Sequence, residues 1–222
     1  MKRTLLITGG SRGIGAAIAE RFGREGHEVL TPSREDLDLA RPESLEAFIS
    51  RHRSRPVDIL INNAGINTLG LIGALDAATW QAMLQVNLTS PVRLTQAVLP
   101  GMKERGWGRV LNVSSIFSLV TKEKRAAYSM TKAGLNAFTR SVTVEYGPFG
   151  ILANTLCPGY VETAMTRQNN TPREIEAINA TIPLRRPAQP EEIARIAYFL
   201  CSEDNTYITG REIVADGGFT CQ

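Results

Sequence analysis

The sequence predicts an α/β fold: one domain built on a parallel sheet sandwiched between helices. Three observations predict it. Short apolar runs of strand type alternate with helical patterns along all 222 residues. A glycine-rich turn follows the first run and opens the first helix. No linker, repeat or low-complexity stretch interrupts the alternation, so residues 1–222 are read as a single unit.

Leu5-Leu6-Ile7 is the first strand, and Ile14, Ile18 and Phe22 mark one face of the helix after it. Glu28–Thr31 is a second strand, and the apolar-polar-apolar run Leu37-Asp38-Leu39 reads as a third. Leu45, Phe48 and Ile49 mark a helix, and Val57–Ile61 a fourth strand. One long helix is expected from about Thr79 to Glu104, with Arg109–Val113 as strand five. A helix over 126–145, strand six at Ile151–Leu156, a helix opened by Pro190-Glu191-Glu192 and a last strand at Arg211–Val214 complete seven strands. Residues 162–186, polar and broken by Pro172 and Pro183, read as a cover over the site.

Composition narrows the function. The hydrophobic fraction of 43% is ordinary for a globular chain. A net charge of +3 gives no reason to expect nucleic acid or a membrane surface as partner. The basic clusters Arg51–Arg55 and Lys122–Arg125 are short and read as solvated helix ends or loops. No apolar run approaches the ~18 residues of a membrane span. The first residues read as a buried strand and not as a signal peptide. Three scattered cysteines suggest reduced thiols in a cytoplasmic protein, and with only His27 and His52 no metal site is expected.

Thr8-Gly9-Gly10-Ser11-Arg12-Gly13-Ile14-Gly15 carries the first functional signal. Glycines at 9, 13 and 15 permit a tight turn and close backbone approach to phosphate, and the helix N-terminus adds free N–H donors. Ser11, Arg12 and Ile14 lie in the same loop. At the end of strand two an acidic residue would bind the free ribose of NAD(H), whereas a cation would accept the 2′-phosphate of NADP(H). Here Ser33 and Arg34 follow Pro32, so NADP(H) is preferred; NAD(H) stays open should Glu35 or Asp36 swing back.

Tyr128 and Lys132 carry the second signal. Four residues apart on one helix, they share a face, and a neighbouring cation favours a phenolate. Ser115, from a separate strand end, offers a hydroxyl to orient a substrate oxygen. Tyrosine and lysine at this spacing are also common on plain helices. Their coincidence with the nucleotide loop is what makes the pair informative.

These residues, with Asn62-Asn63-Ala64-Gly65, Val86-Asn87, Asn112–Ser115, Cys157-Pro158-Gly159 and Asp216-Gly217-Gly218, resemble the short-chain dehydrogenase/reductase family over nearly the whole chain. The tail from Ile182 to Gly218 is similar to 3-oxoacyl-carrier-protein reductases. The resemblance implies a Rossmann-type doubly wound fold with a seven-stranded sheet. It also implies that Tyr128 is the proton donor or base, that Lys132 binds the nicotinamide ribose, that Ser115 bonds the carbonyl, and that Asn87 holds a relay water. Asp38 and Leu39 would meet adenine, Asn63, Ala64 and Gly65 the adenosine ribose side, and Pro158, Gly159, Val161 and Thr163 the carboxamide.

The implied activity is NADPH-dependent reduction of a small carbonyl substrate, a 3-oxoacyl thioester being the leading guess. The alternatives are NAD-dependent oxidation of a sugar, polyol or other secondary alcohol, and a non-catalytic nucleotide sensor. A homotetramer, or a homodimer, is implied as well. Two departures stand out: only Glu35–Leu37 separate Arg34 from Asp38, and Phe149-Gly150 replaces the Arg-Gly common in carrier-protein reductases.

Overall fold

The computed structural model describes residues 1–169 and 171–221. Its six strands are β1 (Thr4–Ile7), β2 (Glu28–Leu30), β3 (Ile59–Asn62), β4 (Gly108–Val113), β5 (Ile151–Pro158) and β6 (Glu212–Ala215). They form one sheet in the order β2-β1-β3-β4-β5-β6, and every neighbouring pair is parallel. The order reverses at β1, which has β2 on one side and β3 on the other. In open sheets of this kind ligands bind at such a switch point, beyond the carboxyl ends of the strands.

Alternation along the strands sorts the core into two layers. Leu5, Ile7, Ile59, Ile61, Leu111 and Val113 point to one face, against Ile18 and Phe22 of α1 (Gly13–Arg24) and Ile193, Ala197 and Leu200 of α8 (Pro190–Cys201). Leu6, Leu60 and Val110 point to the other. There they meet Leu45 and Phe48 of α2 (Pro42–His52), Leu94 and Met102 of α4 (Ser90–Arg105) and Val142 of α5 (Ala126–Tyr146). Both faces are covered, as the continuous apolar strands require.

The sheet has six strands where seven were expected. Leu37-Asp38-Leu39 is not a strand. The two leucines are buried in the α2/α4 layer, which explains the alternating pattern. The backbone around them makes turns and side-chain contacts instead of a ladder. Leu37 N–H donates to the Ser33 carbonyl, Asp38 N–H to Ser44 Oγ and Ala40 N–H to Asp38 Oδ1, while the Leu39 carbonyl accepts from Ser90 Oγ. A three-residue period of two cannot tell a strand from a loop that plugs two side chains into a core.

The expected long helix over 79–104 is also interrupted. α3 (Ala77–Leu84) runs into a π-helical segment, Gln85–Thr89, before α4 begins at Ser90. Pro91, lacking an N–H, removes the α-helical donor from the carbonyl four residues earlier, which is that of Asn87. In the covering segment, α6 (Ala164–Gln168) and α7 (Pro172–Thr181) supply structure the sequence reading left open; α7 is opened by a capping box between Thr171 and Glu174. Asn170, within that segment, lies outside the described residues. No helix among the described residues is long and apolar enough to cross a membrane.

Candidate active site

The glycine loop sits at the carboxyl end of β1 beside that of β3, and side chains lock the two together. Thr8 Oγ1 accepts from the N–H groups of Asn63 and Ala64, both at 3.1 Å, while Asn63 Nδ2 donates to the carbonyls of Thr8 and Gly9. Asn63, expected at the adenosine ribose, thus spends its amide donors on shaping the loop. Gly9 and Gly13 take positive φ. At Gly15 a Cβ would lie 2.1 Å from the Gly9 carbonyl oxygen, so only glycine lets helix and loop meet. No side chain caps α1 and no acid occupies its first turn, which leaves its N–H groups and positive end for an anion. This cradle fits the diphosphate of a dinucleotide.

Around the cradle the sequence-predicted contacts come together in part. Gly13 lies against Thr163, the residue that caps α6. Val161 bridges to Ala188, and Gly159 packs so tightly on Asp216 that a Cβ would come within 2.8 Å of its Cα. Beyond β2, Ser33 and Arg34 are exposed, as are Ser11 and Arg12 across the crevice. Ser33 Oγ donates to Asp36 Oδ2, which holds that carboxylate in its own turn. Arg34 reaches Asp38 at 3.4 Å, a solvated pair worth little and readily exchanged for a phosphate. Leu39 is buried in the core, so only its backbone is available to a ligand.

The second half of the site is built by β4 and α5. Lys132 is 3% exposed, and its Nζ donates to the Val113 carbonyl at 2.7 Å while Ser114 Oγ donates to the Lys132 carbonyl. With no carboxylate among the described residues paired to it, burial depresses its ammonium to a pKa of about 8. Nζ lies 5.7 Å from the Tyr128 ring centroid. Ser115 stands two residues beyond β4 and caps the short turn Ile116–Ser118, its Oγ accepting from Phe117 N–H. Burial raises the Tyr128 pKa, opposed by the adjacent Ser115 hydroxyl and the Arg125 guanidinium. Proximity to Lys132 was expected to lower it; in the protein alone desolvation wins.

Asn87 is fully buried in the π-helical segment. Its Oδ1 accepts from Ile66 N–H at 2.8 Å, and its Nδ2 donates to the Ile66 carbonyl and to Thr131 Oγ1. Those bonds hold the chain segment that leaves β3. They place Gly65 where a Cβ would be 3.3 Å from Asn87 Oδ1 and 3.5 Å from Lys132 Nζ. With the side chain engaged, the group left for a water is the main-chain carbonyl that Pro91 deprives of its donor.

Sequence reasoning missed three residues of the site. Thr8 was visible in the glycine motif and Thr131 inside the Tyr-Lys spacing, but neither residue type announces a locking role. Arg125 is the third. In a cluster read as solvated, Lys122 and Lys124 are exposed as expected, yet Arg125 is 5% exposed at the N-terminus of α5.

The chain is similar to known oxidoreductases over nearly its whole length. The family model described as Enoyl-(Acyl carrier protein) reductase matches residues 33–220. An acetoacetyl-CoA reductase of Shinella zoogloeoides is 36% identical over 239 aligned residues, covering 98% of each chain. A 3-oxoacyl-(acyl-carrier-protein) reductase of Vibrio cholerae is 35% identical over 236, covering 97% of this chain and 96% of its own. Among solved structures, a gluconate 5-dehydrogenase from Burkholderia cenocepacia in complex with NADP and tartrate superposes with a TM-score of 0.89 at 29% identity, over 100% of this chain and 97% of that one.

Proposed function

The chain belongs to the short-chain dehydrogenase/reductase family, and from that premise we propose that it reduces a ketone with NADPH, with Tyr128 as the proton donor. The observation that carries the reading is the convergence of Ser115, Tyr128 and Lys132, with Lys132 also close to Gly65, beyond the same end of the sheet as a phosphate cradle that only glycine can build. When bound, the nicotinamide supplies hydride to the carbonyl carbon. The Ser115 hydroxyl orients the carbonyl oxygen. The Tyr128 phenol, kept neutral by burial, donates its proton to that oxygen. The Lys132 ammonium, still charged at neutral pH, holds ribose hydroxyls and favours the phenolate that results. A water on the Asn87 carbonyl returns the proton.

NADP(H) over NAD(H) is supported by Arg12, Ser33 and Arg34 and by the absence of a carboxylate directly after β2. The gluconate dehydrogenase structure holds NADP. Both reductases compared above are named for 3-oxoacyl substrates, so a 3-oxoacyl thioester is the first substrate class to assay. NADPH oxidation with an activated ketone is expected, and Tyr128→Phe is expected to cut kcat by about 10²–10⁴-fold. Arg34→Ala should lower kcat/KM for NADPH by about tenfold or more, with little change for NADH. A marked preference for NADH, or full activity in Tyr128→Phe, overturns this reading.

A further inference from the structure

Arg125 stands three residues before Tyr128 at the N-terminus of α5, so Arg125, Tyr128 and Lys132 form an i, i+3, i+7 stripe along one helix face. Its guanidinium carbon lies 5.0 Å from the Phe117 ring centroid. That ring stands edge-on to both Tyr128, at 6.5 Å between centroids, and Tyr160, at 6.3 Å. The guanidinium therefore belongs to the aromatic wall that faces the reacting phenol.

What this cation lacks, among the described residues, is a counter-ion. None of them forms a salt bridge with it, and its Nε is buried without a hydrogen-bond partner among them. Burying a guanidinium unpaired is costly, and an aromatic face returns only part of the lost hydration. The chain also strains to put it there. Lys124, one residue earlier, holds a left-handed φ of 66°, and its carbonyl is pinned by Gly70 N–H. Had the cluster served only solubility, Arg125 would extend into water as Lys122 and Lys124 do. A buried cation with an unpartnered N–H beside the reacting phenol is suited to meet an anion.

We propose that Arg125 recognises a carboxylate on the substrate, so that the ketone reduced at Tyr128 is an oxo acid. This rests on the ketone-reductase reading above and not on a thioester substrate, whose acyl carbonyl is neutral. A guanidinium is planar and can pair its N–H groups bidentately with a planar carboxylate, while Phe117 backs its carbon at 5.0 Å. Its place one turn from Tyr128 puts the acid group close along the chain to the carbonyl. No covalent change occurs at Arg125; it binds, and the hydride and proton move as described.

The test is a matched pair, an oxo acid such as acetoacetate against its methyl ester, assayed with NADPH on wild type, Arg125→Met and Arg125→Lys. Wild type is expected to favour the acid by tenfold or more in kcat/KM, chiefly through KM. Arg125→Met, which preserves apolar contact with Phe117, should lose that preference, and Arg125→Lys should restore part of it. Melting of each variant, with and without the acid and NADP⁺, reports folding separately, and only wild type and Arg125→Lys should gain stability from the acid. Equal use of acid and ester by wild type, or an equal loss on both in Arg125→Met, overturns the proposal while leaving ketone reduction standing. No turnover of either compound, or of any activated ketone, would overturn the ketone-reductase reading itself.

Discussion

At Tyr128 and Lys132 burial and charge pull against each other, and the balance sets which proton is held where. Desolvation keeps the phenol neutral and brings the ammonium down to about 8, so at neutral pH the pair is poised as acid and cation. The same shift has a consequence for stability. The folded pKa of Lys132 lies below its ordinary 10.5, so between about pH 8 and 10.5 the unfolded chain binds the proton and the folded one does not. The cost of burying the charge, about 3 kcal/mol, is therefore full below pH 8 and is relieved as pH rises through that window. In Lys132→Met the cost is absent at every pH. Denaturant unfolding should show wild type gaining on this variant by about 2 kcal/mol between about pH 6.5 and about pH 9.5; a pH-independent gap would mean the ammonium is not desolvated. Tyr128, Lys132 and Ser115 were legible in the sequence because their spacing coincides with a nucleotide loop on the same chain. Arg125 was not, since four residues of charge look the same whether the last one is hydrated or folded inward.

Elements show the opposite weighting, their types being legible while their interruptions were not. Periodicity located every helix packed on the sheet, but it carried no trace of the π-helical turn at Gln85–Thr89, because a helix that gains one residue per turn keeps an apolar face. Pro91, in the first turn of α4, removes an N–H just after that segment and with it the α-helical donor to the Asn87 carbonyl. Strand three failed for a related reason: Leu37 and Leu39 are buried, which gives the alternating pattern, but pairing is a property of the backbone and not of the pattern. The π-helical turn is where a prediction belongs. Pro91→Ala restores an N–H that can reach the Asn87 carbonyl and compete with the relay water. Its melting temperature should hold or rise, offset only by the smaller buried side chain, while kcat falls severalfold with KM for the cofactor unchanged. An unchanged kcat in a folded variant would separate the relay from this carbonyl. Asn87→Ala would be a poorer probe, because it strands the Ile66 N–H and carbonyl at a cost of about 1–3 kcal/mol each.

For the whole molecule, sheet topology decides where further copies of the chain can attach. The sheet has two edges, β2 and β6. β2 is three residues long and flanked by the Arg55–Glu28 ion pair, a poor template for another strand. β6 leaves Val214 partly exposed, with Tyr207 wholly exposed in the loop before it. A second apolar surface lies on the outer face of α5, where Val144 is 77% exposed and Met130 is also open to solvent. Two separate apolar surfaces on one subunit suit the two distinct two-fold contacts of a tetramer, whereas a dimer needs only one. Sequence gave no direct sign of either, since exposure on a helix face is invisible until the opposite face is known to be the core. The homotetramer implied by family resemblance is accordingly expected through these surfaces, with light scattering giving a mass about four times 24.3 kDa. Val144→Glu and Val214→Glu should each halve the assembly, and together they should yield the monomer, because each removes one contact and leaves the other. A wild-type monomer at micromolar concentration would rule out both contacts. If the two substitutions act identically alone and together, the two surfaces form a single interface.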